Sequence, residues 1–272
     1  MKGRHIKGYC RFVCLRLGIG VMLAMLTSCV ALPTDSAQRP MNAIPYGAES
    51  RQWLMLYTPE SETPSAMPVY LWSHSNTGVA DQPVSSMVKM LNEQGIAVIS
   101  WASVPRITNL SDLETAWADA ELLWRWIEEH AEMHNLDAQR VIIGGRSRGS
   151  GVSWKLAHSN KPGILGVYMD AALPDGFWQR PDVWQPVNDI TLNSPPLFLA
   201  YGPVPGDGDI HRPENGMKVG DRYRELGIED RFTLVHSLGI SENTNTYQFL
   251  VDFVASHFDQ SVEGFGIRSG TQ

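Results

Sequence analysis

Apolar residues along this chain fall into short runs that alternate with amphipathic stretches. Residues 51–57, 68–72, 96–101, 140–144, 166–170, 197–201 and 232–236 are compact, β-branched or aromatic-rich runs, which read as strands. Between them, residues 84–94 carry Val84, Met87, Val88 and Leu91 at helical spacing and stop at Gly95. Residues 112–133 form a long helix with Ser111 as N-cap and a stripe through Leu113, Trp117, Leu123 and Ile127. Shorter helices are predicted over 150–159, 217–226 and 246–258. Strands alternating with helices predict an α/β fold, a mostly parallel sheet covered by helices on both faces. In such sheets chemistry is sought in the loops at the carboxyl ends of the strands.

The N-terminus follows different rules. Lys2, Arg4, Lys7, Arg11 and Arg16 precede an apolar run from Leu17 to Leu26, with no acid among them. That run is too short for a permanent membrane span and has the layout of a secretory signal. Leu26-Thr27-Ser28-Cys29 resembles the lipobox of bacterial lipoproteins. The resemblance implies cleavage before Cys29, lipidation of its thiol, and attachment at about 0.8 kcal/mol per buried methylene. Residues 30–47, rich in Pro, Ala, Ser and Thr, read as a tether. The expected organisation is a signal peptide over 1–28, a tether over 29–47, the α/β domain over 48–263 and a tail over 264–272. The expected location is the bacterial cell envelope, with the membrane as partner through Cys29.

Composition narrows the partners. The chain has 272 residues, 43% hydrophobic and 19% charged, enough for one sizeable core. Removing residues 1–28 leaves 17 basic against 29 acidic residues, a net charge near −12. Nucleic acid is therefore not the expected partner. All three cysteines lie at or before the cleavage point, so the domain has neither a free thiol nor a disulfide. No phosphate loop, dinucleotide fingerprint or metal-ligand spacing is present; His130 and His134 stand four apart without a third ligand. No cofactor and no metal are expected.

The feature that carries chemistry is Gly145-Arg146-Ser147-Arg148-Gly149, directly after one predicted strand and directly before a helix. G-x-S-x-G in that setting places the serine on a sharp turn, with glycines where strand and helix approach. On these residues most of 50–258 resembles the α/β-hydrolase superfamily, on the side of feruloyl esterases, polyester depolymerases and acetylhydrolases. The resemblance implies that Ser147 is the nucleophile. It implies that Trp72-Ser73-His74-Ser75-Asn76-Thr77-Gly78 is the oxyanion loop, with His74 structural and Ser75 or Asn76 donating one N–H. Arg148 then donates the other. It places the acid at Asp209, with Asp207 the near alternative and Asp170 or Asp175 less favoured. It places the base after the last strand, at His236, although the usual Gly-x-Gly-His turn is absent and Ser241 stands at that count. His211 is the alternative base.

Arg146 reads as a clamp for an anionic substrate group or as the partner of a neighbouring acid. Trp178 and Trp184, in the insertion between the sixth and seventh strands, are candidates for a pocket wall. The expected activity is a serine hydrolase cleaving a carboxylic ester, free or polymer-linked, through an acyl-enzyme. Its rivals are a hydrolase-fold binding protein without an efficient base, and an exopeptidase.

Overall fold

The computed structural model describes residues 39–60, 65–173, 184–202, 210–236 and 246–263. Eight strands form one sheet: β1 (Ile44–Pro45), β2 (Trp53–Tyr57), β3 (Met67–Ser73), β4 (Ala97–Trp101), β5 (Leu136–Arg146), β6 (Ile164–Asp170), β7 (Leu197–Tyr201) and β8 (Phe232–His236). Their spatial order is β1-β2-β4-β3-β5-β6-β7-β8. The β1–β2 and β2–β4 pairs are antiparallel, and every pair from β4 to β8 is parallel. Five helices cover the sheet: α1 (Ser85–Glu93), α2 (Leu110–His130), α3 (Arg148–Ala157), α4 (Glu214–Glu225) and α5 (Thr246–Glu263).

The alternation of side chains along each strand builds two cores. Val69 and Leu71 of β3, Val141 and Ile143 of β5, and Val167 and Met169 of β6 face one side, under α2, α3 and α4. Tyr70, Trp72, Ile142 and Tyr168, the residues between them, face the other side under α1 and α5. Both faces are dry, so these strands read as continuous apolar runs rather than as polar–apolar alternation. Leu71 and Ile143 are fully buried, and each such side chain contributes about 1.5–3 kcal/mol on leaving water.

Three boundaries differ from the sequence expectation. The domain starts earlier than residue 48: Ala43 and Tyr46 are buried, and Ile44 pairs with Leu54, so the last residues assigned to the tether belong to the sheet. Helix α2 is capped by Asn109 rather than Ser111. The Asn109 side chain accepts from the Asp112 N–H at 3.0 Å, and the Asp112 carboxylate accepts from the Asn109 N–H at 3.2 Å. This reciprocal box satisfies two otherwise orphaned donors. Strand β5 also begins four residues before the predicted run, because Leu136 pairs with Met67.

Cys29, the signal, the first part of the tether and the tail lie outside the described residues. No helix among the described residues is long and apolar enough to cross a membrane.

Candidate active site

The turn that carries Ser147 is built by close backbone approach. Ser147 sits between β5 and α3 at φ 52°, ψ −120°, in the left-handed half of conformational space. Only a surrounding structure that over-determines the turn holds a non-glycine residue there. The flanking glycines are required by contact. A Cβ on Gly145 would lie 2.6 Å from the Gly149 carbonyl, and one on Gly149 would lie 2.1 Å from the Ser73 carbonyl oxygen. Helix α3 therefore enters directly on top of the end of β3. The Ser147 N–H donates to the Asp170 carbonyl at 3.0 Å, so the turn is also tied to the end of β6.

The Ser147 hydroxyl meets an imidazole. Ser147 Oγ and His211 Nε2 are 2.9 Å apart, a hydrogen bond that the hydroxyl donates when Nε2 is unprotonated. His211 lies ten residues beyond the end of β7. At the usual spacing, β7 is two strands, about 10 Å, from β5, whereas β8 is three strands, about 14 Å. His236, expected as the base, is the last residue of β8, paired with Tyr201 and exposed. Among the described residues the imidazole hydrogen-bonded to Ser147 is that of His211, the alternative of the two, and not that of His236.

Asp170 closes the other side. It ends β6 beside Arg146, and its carboxylate is 3.3 Å from the Arg146 guanidinium, with 15% of the side chain exposed. Burial raises its pKa above the ordinary carboxyl value, and the charges of Arg146 and then His211 pull it back. Arg146, 47% exposed, is thereby paired with an acid rather than left as a lone clamp. Asp207, Asp209, Asp175, Ser241 and Trp178 lie outside the described residues.

The loop after β3 lies on the opposite flank, because Ser73 pairs with Gly145. His74 Nδ1 donates to the Ser75 carbonyl at 2.7 Å, and burial lowers the pKa of the ring. A neutral ring fixed to its own loop is what a structural histidine provides. Asn76 Nδ2 donates to the Ile107 carbonyl at 3.1 Å, while the Ile107 N–H donates back to Asn76 Oδ1 at 3.0 Å. Arg148 Nη1 donates to the same carbonyl at 2.8 Å. Beside this loop opens a cavity of about 380 Å³, lined by Trp53, His74, Asn76, Thr77, Ser103 and Arg106 among others.

No protein-family model and no curated protein matches the chain. Solved structures do. A truncated carbohydrate esterase from gut microbiota aligns over 83% of this chain and 98% of its own, with TM-score 0.66 and 14% identity. An acetyl ester-xyloside bifunctional hydrolase from Caldicellulosiruptor lactoaceticus aligns over 81% and 96%, with TM-score 0.61 and 15% identity. A thermophilic esterase from the planctomycete Thermogutta terrifontis aligns over 87% and 96%, with TM-score 0.61 and 14% identity. The fold is that of the α/β-hydrolases.

Within this frame, Gly145–Gly149 lies at the junction of β5 and α3, and the segment from His74 to Gly78 follows β3. Asp170 had a legible signal: it ends the strand next to the one that carries Ser147. Trp184 packs edge-on against Trp117, with ring centroids 4.9 Å apart, and donates its N–H to Asp189 at 3.0 Å. Its indole belongs to the packing of the insertion over α2. Among the described residues no cluster of three metal-ligating side chains occurs.

Proposed function

We propose that this protein is a serine hydrolase acting on carboxylic esters. The observation that carries the reading is the 2.9 Å contact between Ser147 Oγ and His211 Nε2 on a strained elbow of the α/β-hydrolase fold. Ser147 Oγ attacks the ester carbonyl carbon while His211 Nε2 takes its proton. The oxyanion of the tetrahedral intermediate is held by the N–H of Arg148, at the start of α3, and by an N–H of Ser75 or Asn76. Collapse expels the alcohol, which receives the proton from His211. Water then attacks the acyl-enzyme with His211 again as base, and the acid leaves. Asp170 stabilises the imidazolium electrostatically, a role supported by the lowering that His211 contributes to the Asp170 pKa.

A fluorophosphonate probe and 4-nitrophenyl acetate test this reading. Wild type labels and turns over, Ser147→Ala does neither, and His211→Ala labels at a small fraction of the wild-type rate. A folded wild type that neither labels nor turns over overturns it in favour of a binding protein. Turnover of an aminoacyl amide in preference to the ester favours an exopeptidase.

We further propose export and lipid anchoring through Cys29, supported by the basic, apolar and Leu-Thr-Ser-Cys sequence of residues 1–29. Expression of the full chain in bacteria with radiolabelled palmitate incorporates label, and Cys29→Ala does not. Equal incorporation overturns the anchor.

A further inference from the structure

The two oxyanion donors proposed above lie on different elements, and nothing covalent sets the gap between them. One is on the loop after β3; the other is the first N–H of α3. Their side chains converge on a single peptide that belongs to neither element. Asn76 grips the Ile107 peptide from both ends, accepting from its N–H at 3.0 Å and donating to its carbonyl at 3.1 Å. Arg148 donates to the same carbonyl at 2.8 Å. The carbonyl thus receives two donors, one of them charged, and charge-assisted bonds of this kind are about twice as strong as neutral ones. Ile107 itself is 3% exposed and packs with Leu113, Ala116 and Leu173, so the peptide is a fixed point.

The segment that carries Ile107 is anchored in turn. Asp119, 1% exposed on α2, accepts from Ser103 Oγ at 2.5 Å, from Gln52 Nε2 at 2.6 Å and from Arg51 through two nitrogens at 3.0 and 3.2 Å. Ser103 and Ile107 bracket the connection between β4 and α2. One end of that connection is held by a buried carboxylate and the other by the two residues of the oxyanion pair.

We infer that the side chains of Asn76 and Arg148 are positioning residues that set the width of the oxyanion hole by sharing the Ile107 peptide. The inference rests on the ester-hydrolase reading and assigns the Arg148 guanidinium to architecture rather than to an anionic substrate. Misplacing a reacting or stabilising group by about 1 Å costs on the order of 10²-fold in rate. Because the hole acts on the tetrahedral state, loss of its spacing lowers kcat and leaves KM nearly unchanged.

The test compares wild type, Ser147→Ala, Asn76→Ala, Arg148→Met and Arg148→Lys on 4-nitrophenyl acetate, with thermal unfolding of each. Expected are falls in kcat of roughly 10- to 100-fold for Asn76→Ala and Arg148→Met, with KM within about threefold. Arg148→Lys, which keeps a charged donor, recovers part of the loss. Affinity for a boronic acid that mimics the tetrahedral state falls in step with kcat/KM. Butyrate and succinate monoesters lose equally in Arg148→Met. Active wild type with unchanged kcat in both variants overturns the staple alone. A selective loss on the succinate ester overturns it in favour of an anion clamp. If both variants lose stability as well as kcat and Lys restores neither, the role is structural and the inference is overturned. Wild type no faster than Ser147→Ala overturns the ester reading and the staple together.

Discussion

Ser147 and Asp170 are joined through their backbones: the Ser147 N–H donates to the Asp170 carbonyl at 3.0 Å, across the ends of adjacent strands. This bond helps hold Ser147 at φ 52°, and the same strand pair delivers the Asp170 carboxylate to the site.

The strain at Ser147 predicts a trade between stability and turnover. Glycine adopts positive φ at no steric cost. Ser147→Gly removes activity and raises stability by about 1 kcal/mol, a shift in Tm of roughly 2–4 °C for a domain of this size. Calorimetry of the two proteins checks it, and an unchanged or lower Tm counts against strain.

Exchange of the two histidines separates the sites. His211→Ala lowers kcat/KM by about 10² to 10⁴, the range of a lost general base. His236→Ala, at the exposed end of β8, stays within about twofold of wild type. Steady-state kinetics with 4-nitrophenyl acetate checks the pair, and the reverse order restores His236 as base.

Asp170 is largely buried and its pKa is raised, so the folded state holds the charged form at a cost. For an acid raised on folding, the relative stability of the fold is greatest below the ordinary carboxyl value and declines as pH rises through the folded one. Asp170→Asn is therefore at least as stable as wild type at pH 7, and the difference closes as pH falls below about 4. Activity moves the other way, falling by about 10²-fold or more as the imidazolium loses its partner. Urea unfolding at several pH values, with kinetics, reads both effects.

His158 predicts acid sensitivity elsewhere. It is buried between Trp154, at 4.6 Å between ring centroids, and Ser194 Oγ, at 3.1 Å, and burial pulls its pKa down to about 3. The unfolded chain takes up this proton near pH 6.5, while the fold refuses it until about pH 3. Its contribution is complete above pH 6.5 and is lost progressively on acidification, amounting to about 2–3 kcal/mol by pH 4.5. His158→Gln flattens that part of the pH–stability curve; an unaltered slope between pH 6.5 and 4.5 refutes the assignment.

Asp119 accepts three kinds of donor in the interior, and removing it takes this acceptor from the Ser103 hydroxyl and the Gln52 amide while Arg51 keeps Glu49. Asp119→Ala costs about 3 kcal/mol. Denaturant titration measures it, and a cost below about 1 kcal/mol argues that the donors find water.

The sheet and the elbow were legible because their signals are local. Runs such as Val69–Trp72 and Val141–Ile143 fill two dry faces, and the glycines at 145 and 149 stand where backbones touch. The partner of Ser147 was less legible because a histidine follows β7 and another ends β8, and the path of a loop is not written in local sequence. Customary spacing put the imidazole after β8, whereas the hydrogen bond to Ser147 Oγ comes from His211 after β7. The Ile107 staple was invisible to sequence, since it joins a side chain to a backbone 31 residues away that carries no motif. The helix start at Asn109 was readable from Asn-x-x-Asp but lost to the nearer serine.

Delivery of the imidazole from the loop after β7 changes what the end of the chain is for. Among the described residues, the closing strand and helix, β8 and α5, supply a sheet edge and apolar cover. On the proposed mechanism, what that unit must keep is its apolar face.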